Sequence, residues 1–236
     1  MTAWLFRILF RMAFRFDLLP CCREYGTGRG GSIARYYIDA FIQQYHQQVK
    51  GRVLEFYERR YQHFFDGSQI KSYDVFDITK RKETTIQGDI QHCPQVKSES
   101  FDAIICTQVL QYVFSPEKAL DELYRLLIPK GVLLLTVPCS GHMDQIPVDH
   151  WRFTPDSWRT LLSKYSFEEL VIEERGNIYA TSMYALGLGT SDTNEKILAK
   201  KDDRNPLELT AFARKAQTTP WDRSSQKGDP NLQKLG

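Results

Sequence analysis

Residues 101–137 read FDAIICTQVLQYVFSPEKALDELYRLLIPKGVLLLTV. Phe101–Thr107 and Val132–Val137 are short, almost uninterrupted apolar runs. Runs of that kind are strands buried on both faces. Between them Pro116–Leu127 repeats apolar residues at helical spacing, Ala119, Leu120, Leu123, Leu126 and Leu127, with a proline at its start. Proline suits a first helical turn, and Pro129-Lys130-Gly131 then breaks the pattern. Strand, helix, strand is the unit of a parallel sheet covered by helices.

The same alternation extends in both directions. Upstream, Arg35–Val49 is an amphipathic helix with Ile38, Phe41, Ile42, Tyr45 and Val49 on one face. Arg52–Phe56, Lys71–Phe76 and the weaker Thr84–Gln87 read as strands. Downstream, Pro155–Leu162 and Ile178–Leu188 read as helices, and Glu169–Glu174 and Leu207–Arg214 as strands. The fold class is α/β: a Rossmann-like, doubly wound, mostly parallel sheet with helices on both faces. Its ligand crevice belongs at the carboxyl ends of the strands, where the strand order reverses. The glycine-rich stretch Tyr25–Ser32 is a loop. It has neither the lysine nor the preceding strand of a phosphate-cradling turn. Thr218–Gly236 is polar, with prolines and glycines, and reads as a disordered tail. The organisation is therefore an N-terminal segment 1–24, a domain 25–217 and a tail 218–236.

Composition sets limits on function. The chain has 236 residues, 42% hydrophobic, with 31 Lys plus Arg against 29 Asp plus Glu. It is long enough for a full core without disulfides, and too evenly charged for a dedicated duplex nucleic-acid binder. The five cysteines include no CxxC pair, and the histidines do not pair on one helix, so no metal site is expected. This pattern fits a reducing cytoplasm. Met1–Leu19 is apolar but interrupted by Arg7, Arg11 and Arg15, which share one helical face. It lacks the roughly 20 uninterrupted apolar residues of a spanning helix and has no signal cleavage site. Two readings stand for it: a peripheral helix at the inner membrane, or a helix packed on the domain.

Polar residues fall at the strand ends. Glu55 ends the first strand, and Asp74 lies near the end of the second, about 20 residues after the first. That separation places a carboxylate on ribose hydroxyls in nucleoside-binding units. Asp89, in Gly88-Asp89-Ile90, follows the third strand, where it can accept a bond from an adenine amino group. Thr107, Gln108 and Gln111 follow the fourth.

The block GDIQHCP, SFDAIICTQVLQYV, the PEKALDELYRLL helix and IPKGVLLLTVP resembles the class I S-adenosylmethionine-dependent methyltransferases. VDHWRFTPDSWRTLL and GRGGSIARYYIDAFI resemble segments of a bacterial branch often associated with polysaccharide biosynthesis. The resemblance implies a seven-stranded sheet with an antiparallel last strand. It also implies a bound S-adenosylmethionine touched by Glu55, Tyr57, Arg59, Asp74, Asp89, Ile90, Thr107 and Gln108. One departure is plain: the family's glycine-rich turn after the first strand is here Tyr57-Glu58-Arg59-Arg60-Tyr61. Either Arg59 pairs with the methionine carboxylate, or the pocket is closed. The implied reaction is methyl transfer to a small-molecule or saccharide hydroxyl, with His150 as base beside Asp149. The alternative is a non-catalytic module of the same fold that docks on a membrane surface or a glycosyltransferase. Asp74 and Asp89 are expected to flank the adenosyl slot.

Overall fold

The computed structural model describes residues 21–141, 143 and 147–217. The readings for Met1–Leu19 and for the tail 218–236 lie outside these residues. The elements run in the order α1 (Ile33–Tyr45), β1 (Gly51–Phe56), β2 (Ile70–Asp77), β3 (Ile86–Gln87), β4 (Phe101–Thr107), α2 (Pro116–Leu126), β5 (Leu127–Pro138), α3 (Pro155–Leu162), β6 (Phe167–Arg175), α4 (Ile178–Ala185), α5 (Glu195–Leu198) and β7 (Glu208–Lys215). They build one seven-stranded sheet in the order β3-β2-β1-β4-β5-β7-β6. The pairings from β3 to β5 are parallel, and β7 inserts antiparallel between β5 and β6. This is the Rossmann-like architecture expected, antiparallel final strand included.

Period-two alternation divides the core between the two faces of the sheet. Val53, Ala103, Ile105, Val132, Leu134 and Phe212 face one way and pack under Ile38, Phe41 and Ile42 of α1. Leu54, Ile104, Cys106, Leu133, Leu135 and Ala211 face the other way, against Leu120 and Leu123 of α2 and Trp158 and Leu162 of α3. Caps fix the helix starts. The Ser115 side chain accepts from Lys118 N ahead of Pro116. Thr154 and Ser157 form a reciprocal capping box at α3. The order reverses between β1 and β4: β2 and β3 lie on one side of β1, and β4 and β5 on the other. The crevice therefore opens above the carboxyl ends of β1 and β4.

Of the boundaries that differ from the sequence reading, two change how the chain runs. Strand β2 runs on to Asp77, and α2 passes directly into β5 at Leu127, with Pro129–Gly131 inside the strand. Among the described residues no helix is long and apolar enough to cross a membrane.

Candidate active site

Strand β1 delivers Glu55, which is 2% exposed, but not to the crevice. Its carboxylate accepts from Tyr61 N at 3.2 Å and from the Tyr73 hydroxyl. Burial pushes this carboxyl up to about 7, although those hydrogen bonds pull it down. Glu55 thus ties the loop 57–61 to the sheet. Tyr61 is fully buried and accepts from Arg35 Nη1 at 2.9 Å, so the loop is also anchored to α1. Tyr57, the first residue of this loop, has φ +74°, in the left-handed region that favours glycine, and leaves its ring about half exposed. An L side chain in that region carries roughly 1–2 kcal/mol of strain. Arg81 stacks on the ring, 4.5 Å from guanidinium carbon to ring centre.

The expected ribose carboxylate, Asp74, needs correction. It sits in mid-strand, where it pairs with Arg52 Nε at 2.8 Å and accepts from Thr85 Oγ1 at 3.0 Å. The residue at the carboxyl end of β2 is Asp77, three positions on and so on the other face of the sheet. Asp77 is 8% exposed, with Oδ1 bonded to Thr79 N and Oδ2 to Arg81 Nε. The run Val75-Phe76-Asp77, apolar and then acidic, was the available signal. Beside Asp77, Ile78 is 68% exposed, an apolar surface at the mouth of the sheet. Gly88 N bonds Asp77 O at 3.0 Å, which brings Asp89 to the end of the neighbouring strand. Asp89 is exposed and accepts from Gln91 N, while Ile90 is buried in the core. Arg59 is also corrected. It points to β2, with Nη2 to Tyr73 O at 3.4 Å and its backbone N to Glu83, and Arg60 lines the crevice instead.

On the β4 side the crevice widens into a cavity of about 770 Å³. Half-buried Thr107 ends β4, and Gln108 and Gln111 follow it into the cavity wall. Gln108 Nε2 donates to Glu208 Oε2 at 2.7 Å, and Gln111 Nε2 donates to Gln108 Oε1 at 3.3 Å. Gln111 is 3% exposed, and its Oε1 has no hydrogen-bond partner among the described residues. Burial pushes the Glu208 carboxyl up to about 8, against the Gln108 bond and the charges of Arg35 and Arg152. Glu208 was not singled out in the sequence, where it reads as part of the final strand Leu207–Arg214.

The expected base pair divides. Asp149 lines the cavity, bound to Arg152 by two bonds of 2.6 and 2.7 Å. The His150 ring is exposed, edge-on to Phe114 at 6.0 Å, and does not line the cavity. Its backbone N is held by Gln111 O at 2.8 Å, so the chain direction turns the ring away. Phe153 is core, packed on Trp158, whereas Trp151 is 42% exposed and donates to Val113 O. Tyr25 and Tyr184, stacked at 5.8 Å, and Tyr36 and Tyr112 add aromatic lining. The glycine-rich loop roofs the cavity. Arg29 clamps Asp192 with bonds of 2.6 and 2.7 Å, and a Cβ on Gly26, at φ +76°, would stand 2.6 Å from Leu188 O.

The family model described as a methyltransferase domain matches residues 26–135. Similar solved structures include an S-adenosylmethionine-dependent methyltransferase from Archaeoglobus fulgidus, 12% identical. It has a TM-score of 0.51, over 89% of this chain and all of that one. A phosphoethanolamine N-methyltransferase from Haemonchus contortus, solved with S-adenosyl-L-methionine, is 15% identical. Its TM-score is 0.54, over 77% of this chain and 53% of that one. The [4+2]-cyclase SpnF is 17% identical at TM-score 0.51, over 78% of this chain and 82% of that one. No curated protein sequence matches the chain. Residues 26–135 match the methyltransferase-domain model, and the fold is the one these solved structures share.

Proposed function

We propose that the chain transfers a methyl group from S-adenosylmethionine to a hydroxyl of a small, saccharide-like acceptor bound in the 770 Å³ cavity. The adenosyl group lies over the ends of β1, β2 and β3. There Asp77 accepts from the ribose hydroxyls, Tyr57 and Ile78 give apolar surface, and Asp89 accepts from the adenine amino group. The sulfonium supplies the reactive methyl, and the protein supplies in-line placement. The observation that carries the acceptor reading is Gln111 Oε1, a buried acceptor atom lacking a donor in a cavity wall. A ligand hydroxyl satisfies it, and the tyrosine faces suit a sugar ring. Asp149 is the member of the Asp149–His150 pair that lines the cavity, so it is the one placed to take the hydroxyl proton.

The test is to incubate the full chain with S-adenosylmethionine and a panel of monosaccharides and glycosides, following S-adenosylhomocysteine release and product mass. We expect an O-methylated product, with turnover falling about a hundredfold in Asp149→Asn. Turnover of the active glycoside that is unchanged in Asp149→Asn, or methylation confined to amines in a parallel amine panel, contradicts the reading.

A further inference from the structure

Helix α1 lines the cavity with two opposite charges one turn apart, Arg35 and Asp39. They do not use each other up. Arg35 Nη1 donates to the Tyr61 hydroxyl at 2.9 Å. Asp39 Oδ1 is buried and has no hydrogen-bond partner among the described residues. An acceptor oxygen taken out of water without a donor is costly, and more so on a carboxylate. A guanidinium and a needy carboxylate side by side complement one ligand chemistry above others, the α-amino acid zwitterion. The planar fork takes the ligand carboxylate, and the aspartate oxygen takes the ammonium.

The loop after β1 shows why such a grip is needed. Glycines let backbone amides approach a ligand closely, and Tyr57–Tyr61 contains none. The loop instead buries Tyr61 and hands its hydroxyl to Arg35, which fixes that guanidinium at the cavity wall. We infer that Arg35 and Asp39 hold the amino-acid end of S-adenosylmethionine from α1, Arg35 on the carboxylate and Asp39 Oδ1 on the ammonium. This inference rests on the methyltransferase reading and assigns to a helix what a glycine turn would otherwise do.

The test is a cycle between protein and ligand, read by titration calorimetry on the full chain. The probes are S-adenosylhomocysteine and 5′-methylthioadenosine, the same nucleoside thioether without the amino acid. We expect the wild-type chain to prefer S-adenosylhomocysteine. Asp39→Asn, nearly isosteric, should weaken that ligand about tenfold or more and leave methylthioadenosine within about twofold. Arg35→Gln should behave likewise, and if it fails to fold, Asp39→Asn decides alone. Equal losses for both ligands, no loss for either, or a wild-type chain that does not distinguish the two would overturn the assignment while leaving nucleoside binding standing. A wild-type chain that binds neither probe removes the methyltransferase reading together with it.

Discussion

Three positions along one strand separate a rim ion pair from the mouth of the crevice. Asp74, partnered by a 42% exposed Arg52, belongs to a pair worth at most about 1 kcal/mol. Asp77 stands where β2 ends, with little access to water and both oxygens bonded. The sequence displayed both aspartates. With the strand end read one residue short, at Phe76, attention went to Asp74 rather than to the residue at the strand end. Glu208 shows the opposite limit, because its environment is assembled from Gln108, Arg35 and Arg152, up to 173 positions away (208 − 35), and no local pattern reports it. Its chemistry still yields a prediction with a definite sign. A carboxyl whose folded pKa is raised to about 8 binds its proton more tightly folded than unfolded. The stability it contributes is complete below the unfolded carboxylate value and is lost as pH rises through about 8. Glu208→Gln should therefore flatten the fall in melting temperature between pH 5 and pH 9, read by thermal melts across that range. An unchanged slope would show that Glu208 does not hold a proton in the folded chain.

At the level of elements, periodicity was the reliable guide. Strands β1, β4 and β5 were visible as short apolar runs because both of their faces are buried, and α1 was visible by the apolar stripe it lays on the sheet. The α2–β5 junction was less visible. A Pro-Lys-Gly triplet ordinarily marks a break, but here the helix enters the strand directly, with a register shift opposite Phe101–Ala103 and Lys130 at φ +66°. Helix α3 is held by Trp158, fully buried between the sheet and Phe153. Trp158→Ala should cost about 3–5 kcal/mol by denaturant unfolding. Trp158→Phe should cost clearly less, since the indole Nε1 has no hydrogen-bond partner among the described residues. Equal losses in the two variants would mean that the nitrogen, not the packing, carries the effect.

Across the whole molecule, the carboxyl edge of the sheet carries the proposed nucleoside site and, beside it, the cavity. At the proposed nucleoside side Ile78 and Asp89 are exposed. The side beyond β4 is walled by α1 and α4 and roofed by the glycine loop, clamped through Arg29 to Asp192. The fold class was legible from strand and helix order alone, and so was the crevice as a region. The inferred grip was not, because the missing glycines remove the usual signature and Arg35 and Asp39 stand on a helix recognised only by its apolar face. The proposed cofactor site turns on Asp77 as the ribose carboxylate, and titration of S-adenosylhomocysteine into the wild-type chain, Asp77→Ala and Asp74→Ala tests that directly. Binding that falls more than about tenfold in Asp77→Ala and stays near wild type in Asp74→Ala is the predicted result. Equal binding by wild type and Asp77→Ala, or loss confined to Asp74→Ala, would contradict it.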